Sequence, residues 1–148
     1  MAFIENKKAR FDFEILDTFE AGAELFGHEV KAIKEHMGSL EGARVVVRGG
    51  EAYLVGARVS PYQTNNTPKN YDPERSRKLL VSKKEIAELA AAESKKGLTL
   101  LPLKWYNNRR KVKLEIAVAR HKKKYDKRAT LKERDEKRAI QRTLKNEY

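Results

Sequence analysis

The stretch ARVVVRGGEAYLV, residues 43–55, decides the fold class of this chain. Its two halves are rich in β-branched and other apolar residues, and only Gly49 and Gly50 separate them. A two-residue turn between antiparallel strands requires positive φ angles, which glycine adopts without a steric penalty. The stretch therefore predicts a β-hairpin within an antiparallel sheet.

Further strands are predicted on both sides of this hairpin. Apolar and charged residues alternate over 11–15 and again over 111–119, which is the period of a strand with one buried face. Residues 98–106 are also strand-like, and the Asn107-Asn108 pair is expected to form the turn that follows. The region between 98 and 119 therefore predicts a second antiparallel pair.

Helices are predicted at two places. Apolar residues at helical spacing predict a short helix over 28–37. Ser82 and Glu85 have the pattern of a capping box, so a second helix is expected to begin there and to end near Lys96, before Gly97. Between the hairpin and this helix, residues 60–78 are polar and contain three prolines, which predicts a long exposed loop.

The order of these elements predicts the architecture. Short antiparallel strands interrupted by two helices are typical of a mainly β protein with helices. For a basic protein, the sequence favours an OB-like antiparallel β-barrel with short packed α-helices. Residues 1–119 contain all of these elements and are expected to form one domain.

Residues 120–148 form a basic C-terminal tail. They contain 12 basic and 5 acidic residues, which is +7 of the total net charge of +12. Thr130-Leu131-Lys132-Glu133 again has a capping-box pattern, but the few apolar residues of the tail form no stripe wide enough to bury. The tail is therefore expected to be disordered when free and helical when bound to a partner.

The excess of positive charge indicates an acidic polymer as the partner. The chain has 33 Lys and Arg residues against 21 Asp and Glu, which is the electrostatic pattern of a nucleic-acid-binding protein. The absence of cysteine excludes disulfides, thiolate zinc sites and cysteine nucleophiles. No apolar segment has the length of a signal-peptide core or a membrane span, so we expect a cytoplasmic protein that does not contact membranes.

The sequence gives little indication of catalysis or metal binding. His28, His36 and His121 lack metal-ligand spacing, and no nucleophile-elbow or phosphate-loop motif occurs. Glu20 and Glu29 could hold Mg²⁺ in a metal-dependent RNA nuclease, but one carboxylate pair among 21 acidic residues is a weak indication. We therefore expect an RNA-binding protein that is not an enzyme and that uses no cofactor or metal.

Five motifs occur in order along the chain: NKKAR at 6–10, FEAG at 19–22, GHEVK at 27–31, DPERSRKLL at 72–80 and YDKR at 125–128. Together they resemble the small protein B (SmpB) family of tmRNA-binding proteins. Several motifs in register, from Asn6 to about Arg138, are much more specific than any one of them. One departure is His121, where the family usually has glycine before the paired lysines.

The resemblance implies an adaptor that delivers alanyl-tmRNA to stalled ribosomes for trans-translation, with the barrel holding the tRNA-like domain. The implied partners are tmRNA, the decoding centre of the small ribosomal subunit and elongation factor Tu, and the protein would be a monomer. The alternative is a ribosomal or RNA-chaperone protein that binds structured RNA in general. By the matching positions, the implied RNA contacts are Asn6, Lys7, Lys8, Arg10, Glu20, Gly22, Arg77, Lys78 and Leu80.

Within this resemblance the tail has the ribosomal role, occupying the decoding centre and the empty mRNA channel. Tyr125 has basic neighbours on both sides, where its ring could stack on an unpaired base. The tail positions implied are Lys122, Lys123, Tyr125, Asp126, Lys127, Arg128, Arg134, Lys137 and Arg138.

Overall fold

The computed structural model describes residues 2–63 and 67–123. The helix predicted from Thr130 and the implied tail positions from Tyr125 to Arg138 lie outside the described residues. In chain order the elements are β1 Ala2–Glu5, α1 Lys7–Asp12, β2 Phe13–Ala23, α2 Gly27–Lys34, β3 Gly38–Ser39, β4 Arg44–Arg48, β5 Glu51–Val55, β6 Arg58–Val59, β7 Arg77–Leu80, α3 Lys83–Ser94, β8 Leu98–Asn108 and β9 Lys111–His121.

Seven strands form one sheet with the order β1-β8-β9-β2-β7-β5-β4, and β3 pairs with β6. All of these ladders are antiparallel. The predicted class, mainly β with short helices, is therefore confirmed. β4 and the start of β8 line one cleft, but no ladder joins them within the described residues. The sheet thus curves towards a barrel without backbone pairing between these two strands.

The hairpin predicted over 43–55 is confirmed. β4 and β5 pair in register from Arg44 with Val55 to Arg48 with Glu51. Gly49 and Gly50 have φ angles of 61° and 75°, in the left-handed region that a tight two-residue turn requires.

The turn predicted at Asn107-Asn108 is wrong by two residues. β8 continues through Asn108, which pairs with Lys111, so Arg109 and Arg110 form the turn. Both arginines have positive φ angles, 51° and 67°. The Asn108 side chain donates to Glu20 on β2, the strand on the other side of β9, which favours the longer ladder.

The strand predicted over 11–15 begins later than expected. Phe11 lies in α1, because the Asn6 side chain caps this helix by accepting a hydrogen bond from the Ala9 amide at 3.2 Å. β2 begins at Phe13 and continues for 11 residues. The helix cap at Asn6 thus determines the structure of Phe11 and Asp12, although both fit the alternating strand pattern.

Both predicted helices are confirmed with small differences in their ends. α2 begins at Gly27 and α3 ends at Ser94. At the start of α3 the Ser82 hydroxyl accepts from the Glu85 amide at 3.2 Å and lies 3.2 Å from the Glu85 carboxylate, to which it can donate. None of the helices in the described part of the chain is long and apolar enough to cross a membrane.

The main core lies between the sheet and helices α2 and α3. Trp105 and Ile116 are fully buried from the sheet, and Ile33 and Leu89 are fully buried from the helices. β9 is buried on both faces, because Ala117 belongs to a second, smaller cluster beneath α1. The alternation over 111–119 predicted one buried face, and the small alanine side chains allow the second.

Candidate nucleic-acid interface

A row of four residues crosses the outer face of the sheet. β8 and β9 place Tyr106 opposite Lys113. The adjacent pair, Trp105 and Leu114, lies in the core, so Tyr106 and Lys113 lie on the outer face. β2 and β7 place Gly22 opposite Leu80, again next to core residues. Because opposite residues of an antiparallel pair share a face, these four residues form one row, which we call the outer row.

Glycine in this row lets a cation lie beside an apolar side chain. A Cβ added at Gly22 would lie 3.4 Å from the Leu80 Cβ and 3.5 Å from the Lys113 Nζ. The Leu80 side chain is 52% exposed although its neighbour Leu79 is buried. The result is a flat apolar surface with an ammonium group at its edge.

A cleft of about 350 Å³ extends from this surface. Its apolar walls come from Leu25, Val30 and Leu80. Its basic wall is the end of the β8–β9 hairpin, where Arg110, Lys111 and Lys113 lie. Apolar shelves bordered by cations suit an unstacked base together with its phosphates.

Glu20 is an exposed carboxylate held in a fixed position beside the outer row. Its two oxygens accept from the Asn108 side-chain amide at 2.9 and 3.2 Å, and it also accepts from the Tyr106 hydroxyl. These hydrogen bonds, that of Tyr106 first, hold the pKa of Glu20 below its usual range, with help from the charges of Lys113 and Arg109. Glu20 is thus an ionised acceptor at neutral pH, and its fixed position suits directional recognition.

Lys78 lies on the same face of β7 as Leu80. Its Nζ is 2.9 Å from the Glu51 carboxylate, which also accepts from the Tyr53 hydroxyl at 2.7 Å. The hydrogen bond to Glu51 raises the pKa of Lys78, so the ammonium charge is secure at neutral pH. Side-chain exposure of about a third leaves Lys78 accessible to an external anion.

Helix α1 adds basic residues next to Glu20. The Arg10 guanidinium is 3.3 Å from Glu115, which lies directly opposite Glu20 in the β2–β9 ladder. Two like charges face each other there, and Arg10 together with Lys104 at 3.9 Å offsets their repulsion. Lys7 and Lys8 are exposed on the same helix. Lys8 approaches Glu41 at 3.8 Å, an exposed pair that contributes little stability.

The chain is similar to known proteins along most of its length. The family model of the SmpB protein matches residues 3–146. The chain belongs to the SmpB family. It is 48% identical over 146 residues to an SsrA-binding protein of Chlorobaculum tepidum, covering 98% of this chain and 92% of that relative. It is 46% identical over 141 residues to an SsrA-binding protein of Trichodesmium erythraeum, covering 95% and 90%.

A solved SmpB-containing structure has the same fold. It is described as "tmRNA-SmpB: a journey to the center of the bacterial ribosome". The match has a TM-score of 0.69 and 42% identity, and it covers 82% of this chain and 85% of that chain.

Arg77, one of the RNA contacts implied by the SmpB resemblance, is a structural residue here. Its side chain is fully buried, with the guanidinium 2.7 Å from the Glu29 carboxylate and 2.9 Å from the Ala57 carbonyl oxygen. The implied direct contact is therefore corrected. Arg77 fixes the start of β7, and so positions Lys78 and Leu80.

Asn6 is corrected in the same way. It is 4% exposed, and its side-chain amide donates to the carbonyl oxygens of Leu40 at 3.2 Å and Pro102 at 2.9 Å. A side chain with these partners joins α1 to the sheet and has no free donor pointing to solvent. Asn6 thus fixes the placement of α1.

Glu29 is the centre of the buried polar cluster around Arg77. Burial alone would raise its pKa, but the hydrogen bonds from Arg75, the Phe26 amide and Arg77 outweigh it and lower the pKa to about 2. A carboxylate engaged in this way is not available to share Mg²⁺ with Glu20. Residues 2–63 and 67–123 contain no cluster of three or more acidic or histidine side chains that could hold a metal ion.

The SmpB pattern usually has glycine where this chain has His121. His121 is the last residue of β9, pairs with Phe13, and has no positive φ angle. Its ring packs edge-on against the Phe13 ring with centroids 4.9 Å apart. The backbone at this position therefore does not require glycine.

The structure also brings together residues that sequence reasoning missed. Tyr106 and Asn108 donate hydrogen bonds to Glu20, and Tyr106 and Lys113 belong to the outer row. No sequence motif identified any of these three residues. The signal was the register of the β8–β9 hairpin, which the wrong turn at Asn107-Asn108 concealed. Of the tail positions, only Lys122 and Lys123 are described, and the Lys122 amide donates to the Asp12 carbonyl oxygen at 2.9 Å.

Proposed function

We propose that this chain is the adaptor that binds tmRNA and delivers alanyl-tmRNA to stalled ribosomes for trans-translation in the bacterial cytoplasm. Its relatives are SsrA-binding proteins, and the similar solved structure contains tmRNA and SmpB. It acts by binding and not by catalysis. The observation that carries the proposal is the fixed, ionised Glu20 next to an exposed apolar shelf and several cations.

Glu20 recognises a base in this proposal. Phosphates repel a carboxylate, so a carboxylate gains free energy at an RNA surface by accepting from a donor of the RNA, and a base amino or imino group is the donor that carries sequence information. Tyr106 and Asn108 keep the carboxylate in place before RNA arrives, which reduces the ordering cost of binding.

Leu80 and Gly22 support that base or its ribose. RNA-binding sheets commonly hold unpaired nucleotides against exposed side chains, and a flat apolar shelf accepts them without sequence preference. Arg10, Lys78 and the exposed lysines of α1 supply positive charge around the shelf. Arg77 and Asn6 act indirectly by positioning these elements.

The chain is divided into two functional parts in this proposal. Residues 1–119 hold the tRNA-like domain as a monomer. Residues 120–148 carry the basic tail, which occupies the decoding centre and the empty mRNA channel after delivery with elongation factor Tu. Because the tail holds +7 of the net charge, binding to ribosomal phosphates can offset the cost of ordering it.

A matched pair of variants tests the role of Glu20. Glu20→Gln removes the charge at almost constant size, and Glu88→Gln makes the same change at an exposed position on α3. Affinity for the tRNA-like domain of tmRNA is measured beside affinity for bulk tRNA and for a ribosomal RNA fragment. Discrimination of about 1–3 kcal/mol for a good base contact predicts that Glu20→Gln lowers the preference for tmRNA roughly 5- to 150-fold.

The control variant and the comparison of the three RNAs separate base recognition from charge repulsion, from general RNA binding and from nuclease activity. Glu88→Gln is expected to leave the preference unchanged. If Glu20→Gln strengthens binding to all three RNAs equally, only charge repulsion has been relieved and the base-recognition role is wrong. Equal affinity of the unmodified protein for all three RNAs favours a general structured-RNA-binding protein, and loss of RNA integrity with Mg²⁺ indicates a nuclease.

A further inference from the structure

Arginine occupies both central positions of the β8–β9 turn, where glycine or asparagine is usual. Arg109 and Arg110 have φ angles of 51° and 67°. The β4–β5 turn has nearly the same geometry, with φ angles of 61° and 75°, but it uses Gly49 and Gly50. A non-glycine residue is strained in the left-handed region because its Cβ approaches the carbonyl oxygen, and arginine has no short side chain to relieve this.

The strained turn lies beside the proposed RNA surface. Arg110, Lys111 and Lys113 line the cleft that Leu80 and Gly22 also border. The charge of Arg109 acts on the Glu20 carboxylate. The hairpin therefore places four cations, at positions 109, 110, 111 and 113, next to the two groups proposed to hold a base.

None of these four cations forms a salt bridge within the described residues. Ion pairs in the described part of the chain involve the side chains of Lys8, Arg10, Arg48, Arg75, Arg77, Lys78, Lys104 and Arg120, and none lies at the hairpin tip. Arg109, Arg110 and Lys111 are exposed. Glu20 is the acidic group on which Arg109 and Lys113 act, but no carboxylate in the part of the chain that the structure describes forms a salt bridge with the cluster, so it is open to an external anion.

We propose that the tip of the β8–β9 hairpin is a phosphate-binding site for the RNA backbone, with Arg109 and Arg110 as its principal contacts. It would hold the phosphates beside the nucleotide that reaches Glu20 and Leu80, so this inference rests on the proposed function. Guanidinium groups match phosphate oxygens with two parallel hydrogen bonds, which explains arginine here in place of residues that suit the turn.

The proposal predicts opposite effects on folding and on binding. Arg109→Asn with Arg110→Gly installs the residues that this turn prefers, so the melting temperature is expected to rise. The same double variant removes two phosphate contacts, so RNA affinity is expected to fall about 30-fold at ~0.1 M salt, relative to any change at ~1 M salt. The slope of log affinity against log salt should become less negative by about 1.5, since each phosphate contact contributes about 0.7–0.9.

Two further variants serve as controls. Lys95→Gln with Lys96→Gln removes the same charge from exposed residues at the opposite end of β8, near the pair of Leu98 with Arg120. Its affinity and slope are expected to change much less. Arg109→Lys with Arg110→Lys keeps the charge, and it should retain most of the slope while losing part of the affinity.

The measurements are thermal melting and binding titrations at several salt concentrations, with the tRNA-like domain of tmRNA and with bulk tRNA. The site is supported if the variant with Arg109→Asn and Arg110→Gly loses more affinity and more slope than the variant with Lys95→Gln and Lys96→Gln. A loss no greater than that of the Lys95 and Lys96 variant overturns the site, whatever the melting temperature does. Because the slope is also measured on bulk tRNA, the hairpin site is decided even if tmRNA preference, and with it the proposed function, fails.

Discussion

Leu79 and Leu80 are neighbours in β7 whose side chains lie on opposite faces of the sheet. Leu79 is 2% exposed in the main core, and Leu80 is 52% exposed beside the proposed RNA cleft. Truncating each to alanine removes the same atoms from two different environments. The pair therefore separates a contribution to folding from a contribution to RNA binding.

The magnitudes follow from these exposures. Leu79→Ala leaves a cavity in a packed core and is expected to cost ~3 kcal/mol of unfolding free energy. Leu80→Ala loses only part of the transfer free energy and leaves no enclosed cavity, so ~1 kcal/mol or less is expected. In contrast, RNA that covers the exposed half of Leu80 gains ~1 kcal/mol, and its loss weakens binding about five- to tenfold.

Urea unfolding and titration with the tRNA-like domain of tmRNA measure both effects on each variant. Leu80→Ala should bind weakly and remain stable, whereas Leu79→Ala should be destabilised and, at a temperature where it is folded, bind nearly normally. If Leu80→Ala costs as much unfolding free energy as Leu79→Ala and binds with unchanged affinity, the apolar shelf is not an RNA contact.

Three more predictions concern charge, acid and packing. Lys8→Ala is expected to weaken binding to tmRNA and to bulk RNA about equally, and the slope of log affinity against log salt should be flatter by roughly one unit or less. A change in the preference for tmRNA over bulk RNA would argue against a purely electrostatic role of Lys8. Because the pKa of Glu29 is lowered to about 2 from 4.5, its contribution to stability is full above pH ~5 and is lost as the pH falls towards 2. Urea unfolding at pH 7 and pH 3 should show this loss, and Glu29→Gln should already be destabilised at pH 7, whereas equal pH dependence of the two proteins would contradict the assignment. His121→Gly should lower the melting temperature by a few degrees because it removes the contact with Phe13. A rise would mean that the backbone at this position favours glycine.

Local patterns predicted much of the fold. The Gly49-Gly50 turn and the capping box at Ser82 each depend on neighbouring residues, so their strands and helix were found within a few positions. The turn after β8 was misplaced because local preference favours asparagine, while the actual position follows from pairing with β9 and from Glu20 on β2.

The candidate site was only partly predictable for the same reason. Glu20 and Leu80 are exposed as a surface role requires. Arg77 was implied as an RNA contact by the motif at 72–80, and only its pairing with Glu29, 48 positions away, shows that it belongs to the core. Sequence spacing gives no indication of such a distant partner, since four strands lie between the two residues and only the fold brings them together.

Peptide tagging on stalled ribosomes tests the central claim most directly. A reaction with alanyl-tmRNA and elongation factor Tu is run with the full chain, with residues 1–119, and with Asp126, Lys127 and Arg128 changed to alanine, beside a tmRNA titration of each. The full chain should support tagging, and both variants should bind tmRNA nearly normally while tagging is lost. Absence of tagging with the full chain, full tagging by the truncated chain, or loss of tmRNA binding in a truncated chain that is shown to be folded would contradict the account.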